Sequence, residues 1–368
     1  MEQIPFFSYS KLFEHRKEEY QAIINDVLSR GAFIMQEELL SFEKNLAKYL
    51  NVKYAIGMAD GTMSLLASLM SSGIGKNDEV IVPSHTFVAS AAAIHHLGAK
   101  PVLIDCKRDH LIDHNKIENL INEKTKAIMP VQLNGRVTNM DPIQQIAENY
   151  NLIIIEDSCQ ALGAKYNDKF AGTFGAAGTF SFFPAKTLGC FGDGGAIITN
   201  EKVIADTVKM IRDHGRDPSD GKAKLFGYNA RLDNLHAAIL DFKLTYYDKD
   251  IERRREFARI YQDRLKNIDS LLLPPGPDQE SKHFDIYQNY EIEAKNRDEL
   301  RQFLADKGIG TIIQWGGYAL HQFQDLQLTG ELSYTQEMTK KFMLLPMHSL
   351  LKESEVEYIC EQIINFYE

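Results

Sequence analysis

No stretch of this 368-residue sequence is apolar for long enough to cross a bilayer. Its first residues, Met1-Glu2-Gln3-Ile4-Pro5, lack a basic segment followed by an apolar one. A membrane span and a secretory signal are therefore not expected, and the chain reads as soluble and cytoplasmic. Cysteine is scarce. Cys106, Cys159, Cys190 and Cys360 lie far apart without paired metal-ligand spacing, which argues against zinc and against a disulfide scaffold. Long basic runs are lacking too. With 41 Lys and Arg against 51 Asp and Glu, the formal charge is −10, so nucleic acid is not expected as a partner. Phosphorylated small molecules are not excluded, because a cleft can concentrate cations and backbone N–H groups locally. Internal repeats and low-complexity tracts are also missing.

What is present is alternation. From about residue 50 to 200, short β-branched runs alternate with helix-like stretches, the pattern of a mostly parallel sheet covered on both faces. Strands are expected at 54–57, 79–82, 101–105, 127–133, 152–156, 179–183 and 195–199. Runs such as Val80-Ile81-Val82 and Leu152-Ile153-Ile154-Ile155 are apolar at successive positions, as strands buried on both faces require. Residues 62–72 and 89–97 read as crossover helices stopped by Gly73 and Gly98. A longer helical region, 234–265, gives way to Pro274-Pro275-Gly276-Pro277. Beyond it, 287–292, 297–307, 311–315 and a helix from residue 354 suggest a smaller α+β layer. The expected division is a large domain, 1–248, and a small one, 249–368, with the N-terminal segment packing on the latter and a cleft between.

In open α/β sheets, functional side chains gather beyond the carboxyl ends of the strands. The run 152–155 leads directly into Glu156-Asp157, and Lys186 follows the strand expected at 179–183, so both ends can face one cleft. Taken alone, a carboxylate there is more often a turn cap. Paired with a lysine, it fits what pyridoxal phosphate needs: an amine for a Schiff base, an anion beside the pyridine nitrogen, and donors around the phosphate. Lys186 would supply the amine and carry the substrate proton, and Asp157 would keep the ring nitrogen protonated. Gly61-Thr62 opens a helix after the first strand, where anions bind, with Ser181 as a further hydroxyl. Phe87 is a candidate to stack on the ring, His85 a weaker one, and Gln160 to approach the opposite face or the ring oxygen. His214, His236 and His348 are read as structural.

These motifs together resemble the DegT/DnrJ/StrS family of nucleotide-sugar aminotransferases, over nearly the whole chain. They are Gly61-Thr62, Asp78-Glu79-Val80-Ile81-Val82-Pro83, Thr86-Phe87-Val88-Ala89, Glu156-Asp157 with Gln160, Ser181-Phe182-Phe183-Pro184-Ala185-Lys186 and Gly192-Asp193-Gly194-Gly195-Ala196. The resemblance implies an aspartate-aminotransferase-like α/β fold (fold type I) and a homodimer. Within it, Asn229, and Arg231 with it, would act in the partner subunit's site; without the resemblance, Asn229 would read as an ordinary turn residue. It also implies transfer of an amino group from L-glutamate to a nucleotide-diphosphate keto-hexose, for glycan or secondary-metabolite sugars. The segment 188–195 is similar to the form in enzymes that aminate C3. A C4 enzyme or a cyclitol transaminase is the alternative, and a non-catalytic regulator or scaffold is a remote one. Met35-Gln36, Gln132-Leu133-Asn134-Gly135-Arg136 and Gln314-Trp315 depart from the family's frequent residues. Arg231, Gln314, Trp315 and His321 are the candidates for substrate contact.

Overall fold

The doubly apolar runs become the middle of a sheet. In the computed structural model, which describes residues 3–277 and 279–368, seven strands assemble: β1 (Tyr54–Met58), β2 (Glu79–Pro83), β3 (Lys100–Ile104), β4 (Thr125–Ile128), β5 (Ile153–Asp157), β6 (Ala177–Ser181) and β7 (Gly195–Thr199). Their order is β1-β7-β6-β5-β4-β2-β3. Only β7 runs against its neighbours.

Side chains alternate across a strand, so each run serves two cores. Ile81, Ile154 and Ile198 enter one core with Phe42, Leu46 and Ile143. Val80, Val82, Ile155 and Ile197 enter the other, with Leu65 and Ile94 from the helices Gly61–Ser71 and Val88–His96. Burial on both faces explains why these strands show no polar alternation.

A third core gathers Phe257, Tyr261, Ile292, Leu345 and Ile359. It joins a three-stranded antiparallel sheet (Leu271–Leu272, Tyr290–Ala294, Phe342–Leu345) to helices Tyr247–Leu265, Arg297–Asp306 and Glu353–Tyr367. Tyr247 and Ile251 sit in the first core while Phe257 and Leu265 sit in the third, so one helix bridges the two units. The chain's beginning returns to the small unit: Ile4 N–H donates to the Gly308 carbonyl (2.9 Å), and Gly310 N–H donates to the Ile4 carbonyl (2.8 Å).

Three segments differ from the reading of the sequence. The strand expected over 127–133 ends at Ile128, because Pro130 has no N–H for the ladder and Asn134 turns into the left-handed region at φ 56°. The strand expected over 311–315 contributes one bridge, Ile312 to Leu344, and then curls into a turn through Trp315 (φ 52°) and Gly316 (φ 70°). The helix expected over 234–265 is two, Asn234–Leu244 and Tyr247–Leu265. Helices Tyr9–Glu14, Lys17–Ser29 and Glu37–Tyr49 lie in a region where none was anticipated.

Candidate active site

Two adjacent carboxylates end β5, and the pleat sends them in opposite directions. Glu156 turns into the protein, where it accepts hydrogen bonds from Gln132 Nε2 (2.8 Å) and from the N–H groups of Gly172, Phe174 and Gly175 (2.9, 2.6 and 3.1 Å). Glu156 therefore takes the capping role. Asp157 faces a cleft of about 640 Å³ that also receives Lys186. Ser90 Oγ donates to Asp157 Oδ2 at 2.6 Å and Cys159 N–H to Oδ1 at 3.2 Å. A carboxylate has about four acceptor sites, so Asp157 retains capacity toward the cleft.

Lys186 sits on a tight turn whose N–H donates to the Phe183 carbonyl (2.8 Å). The turn is gripped from the small unit by one side chain. Gln288 Nε2 donates to the Ala185 carbonyl (2.9 Å), and Gln288 Oε1 accepts from Thr187 N–H (2.6 Å) and Thr187 Oγ1 (2.7 Å). Gln288 is itself fixed by Arg254, whose buried guanidinium donates to the carbonyls of Tyr287, Gln288 and Met347. Burial lowers the Lys186 pKa, while Cys159 and the Asp157 carboxylate oppose the shift. The outcome is an amine closer to its neutral, nucleophilic form. Cys159 shares the cleft, but burial and then Asp157 push its thiol well above the usual range, which leaves Lys186 as the nucleophile.

Beside them the helix Gly61–Ser71 points its N-terminus into the cleft. Its N-cap Asp60 accepts from Met63 N–H (2.8 Å), leaving the first-turn N–H groups of Gly61 and Thr62 for an anion. The approach is close: a Cβ on Gly61 would meet Ser181 Cβ at 2.9 Å, and one on Gly195 would meet the Asp60 carbonyl oxygen at 2.4 Å. Glycine at both positions thus lets helix, Ser181 and β7 converge. Amine, carboxylate and anion cradle in one cleft are the donor set that pyridoxal phosphate requires, and the residues fit it.

Thr62, Ser181, Gln160 and Phe87 line the same cleft, Phe87 half-exposed at its mouth. So do Gln314 and Trp315. His321 is elsewhere: its Nδ1 pairs with Ser84 Oγ at 2.8 Å, and it is not on the cleft wall. His85 is likewise displaced, fully buried against Glu291 at 3.1 Å and packed on Trp315, so it cannot stack on a ring in the cleft. Asn229 is exposed, and Arg231 pairs with Asp213 at 2.9 Å; neither lines the cleft that holds Lys186. Sequence reasoning missed Ser90, Gln288, Asn289, Phe6 and Phe7, all on the wall. Ser90, in a helix next to Phe87, carried a weak signal in its neighbours; Gln288 carried none.

A parallel sheet with one reversed strand, and a lysine and an aspartate brought together beyond its strand ends, define a pyridoxal-phosphate aminotransferase of fold type I. The chain belongs to the DegT/DnrJ/EryC1/StrS aminotransferase family, whose family model matches residues 14–364. It is 37% identical to a Geobacillus stearothermophilus protein named pleiotropic regulatory protein, over 99% of this chain and 98% of that one. It is also 37% identical to dTDP-3-amino-3,6-dideoxy-alpha-D-galactopyranose transaminase of Aneurinibacillus thermoaerophilus, over 98% of each. Among solved structures, DesV of S. venezuelae in complex with a ketimine intermediate superposes with a TM-score of 0.95 at 31% identity, covering 100% of this chain and 99% of that one.

Proposed function

We propose that this chain transfers an amino group from L-glutamate to the C3 keto group of a nucleotide-diphosphate-linked keto-hexose, as a cytoplasmic homodimer. The observation that carries the reading is the shared cleft of Lys186 and Asp157, with the Gly61–Ser71 helix N-terminus beside them. Pyridoxal phosphate supplies the electron sink. The protein supplies position and protons: Lys186 Nζ would bind the cofactor's aldehyde carbon and, once freed, move a proton between the amine-bearing substrate carbon and that cofactor carbon, Asp157 would keep the pyridine nitrogen protonated, and Gly61, Thr62 and Ser181 would hold the phosphate. Phe87 stacks on the ring and Gln160 contacts it, while Gln314 and Trp315 meet the sugar.

Regiochemistry at C3 is supported by the name of the Aneurinibacillus relative and by the 188–195 segment. Two-fold assembly is supported by the exposed apolar residues Phe33, Phe183, Phe226 and Tyr228; Phe226 is 97% exposed. In that assembly Asn229 reaches the neighbour's phosphate and Arg231 its substrate. A regulatory role is suggested by the name of the Geobacillus relative. The intact catalytic set favours an enzyme.

The test is a panel of dTDP-, UDP- and GDP-linked keto-sugars with glutamate, read by product mass and by NMR placement of the new amine. A 3-amino sugar nucleotide is expected, with no turnover by Lys186→Ala. Amination at C4, or full turnover by Lys186→Ala, would overturn the reading.

A further inference from the structure

Behind Gln160 lies a polar network built around a buried carboxylate that no step above uses. Its centre is Glu291, on the small-unit strand Tyr290–Ala294. Glu291 Oε1 accepts from His85 Nε2 (3.1 Å), His110 Nδ1 (2.6 Å) and Asn134 Nδ2 (3.0 Å), and Oε2 accepts from Gln314 Nε2 (2.8 Å). His110 Nε2 donates in turn to Glu293 Oε1 at 3.2 Å. Both His110 nitrogens then carry protons, and the His85–His110–Glu291 cluster is held as a hydrogen-bonded network.

The network fixes directions that an isolated amide would leave free. A carboxylate only accepts, so Asn134 must turn its Nδ2 to Glu291; its Oδ1 then accepts from Asn289 Nδ2 (2.9 Å) and Gln314 Nε2 (3.1 Å). Held this way, Asn134 sits at φ 56°, and its backbone N–H donates to Gln160 Oε1 at 2.8 Å, with Asn289 Nδ2 a second donor at 3.4 Å. A backbone N–H only donates, so the oxygen end of Gln160 faces the network. Its NH2 end has no hydrogen-bond partner among the described residues and belongs to the cleft wall.

We propose that Glu291 and Asn134 are positioning residues, which orient the Gln160 amide so that it presents N–H to the cofactor's ring oxygen. This rests on the reading that Gln160 contacts the ring. It also joins Asn134 and Gln314, two departures from the family's frequent residues, as partners in one device.

The test is a double-mutant cycle on cofactor-loaded protein, read as the pH midpoint of its yellow absorbance band. Gln160→Leu and Glu291→Gln should each move the midpoint in the same direction by about 0.4 to 1.1 units, the size of one hydrogen bond. The double variant should move no further than Gln160→Leu alone. Additive shifts, or a shift from Gln160→Leu with none from Glu291→Gln, overturn the proposal and leave the contact of Gln160 with the ring intact. No shift from Gln160→Leu overturns that contact and the proposal with it. Should Glu291→Gln fail to fold, Asn134→Ala enters the cycle instead: it keeps the carboxylate and its histidines, loses the amide that holds the left-handed turn, and carries the same expectations.

Discussion

Ser90→Ala isolates one bond at the acidic end of the site. Ser90 Oγ donates to Asp157 Oδ2 at 2.6 Å in a fully buried setting, and Thr86 Oγ1 lies 2.8 Å from the same hydroxyl. A hydrogen bond to a charged group contributes ~1.5–3 kcal/mol, and losing it frees the carboxylate to rotate away from the ring nitrogen. If the whole loss appears in the transition state, kcat/KM falls about 10- to 150-fold. The strand and its neighbours are untouched, so the melting temperature should move little beyond the loss of one small polar contact. The assay is steady-state amination at saturating cofactor, with far-UV circular dichroism as a check on folding. A fall of less than about threefold, in folded and cofactor-saturated protein, would refute the reasoning, because Asp157 would then be held well enough by Cys159 N–H alone.

Three further outcomes are expected. Gln288→Leu removes the three hydrogen bonds that pin the Lys186 turn, and kcat should fall about 100-fold with KM little changed, the penalty of a reacting group displaced by about 1 Å. Gly195→Ala drives a Cβ to 2.4 Å from the Asp60 carbonyl oxygen, and should cost at least ~1–3 kcal/mol in thermal unfolding as well as weaken retention of cofactor on dialysis. His110 sets a pH dependence of stability. Burial opposes its charge, but hydrogen bonds to Glu291 and Glu293 prevail and hold its pKa up to about 9, above the ~6.5 of the unfolded chain. A raised folded pKa gives stability fully present below pH ~6.5 and lost as pH rises through 9, worth at most ~3 kcal/mol. Urea unfolding at pH 6 and 9.5 should show that loss, and His110→Gln should remove most of the difference.

The large sheet was legible because its strands announce themselves: Val80-Ile81-Val82 and Ile153-Ile154-Ile155 have no polar position, and only burial on both faces tolerates that. Lys186 and Asp157 were legible because Asp157 ends one strand at the sheet's carboxyl edge and Lys186 lies on the turn just beyond the end of its neighbour. Gln288 was not, because its task depends on a domain packing whose geometry no local pattern encodes. Trp315 misled for a related reason: a β-branched run up to it reads as a strand, while its backbone turns left-handed (φ 52°) where its ring packs on the buried His85. Glu156 and Asp157 show the limit most clearly. Neighbours of the same chemistry, they take opposite roles set only by the phase of the pleat.

The pairing of Ile4 with the Gly308–Gly310 segment has a consequence for how the protein is made. Phe6 and Phe7 belong to the cleft wall, yet the partners that anchor them emerge 309 minus 4, or 305, residues later. At about 5–20 residues per second, that is a wait of roughly 15–60 s on the ribosome. The sheet can form early from its own neighbouring segments, but the cleft stays open on one side until nearly all of the sequence has been translated. Catalytic competence is therefore among the last properties the nascent chain acquires.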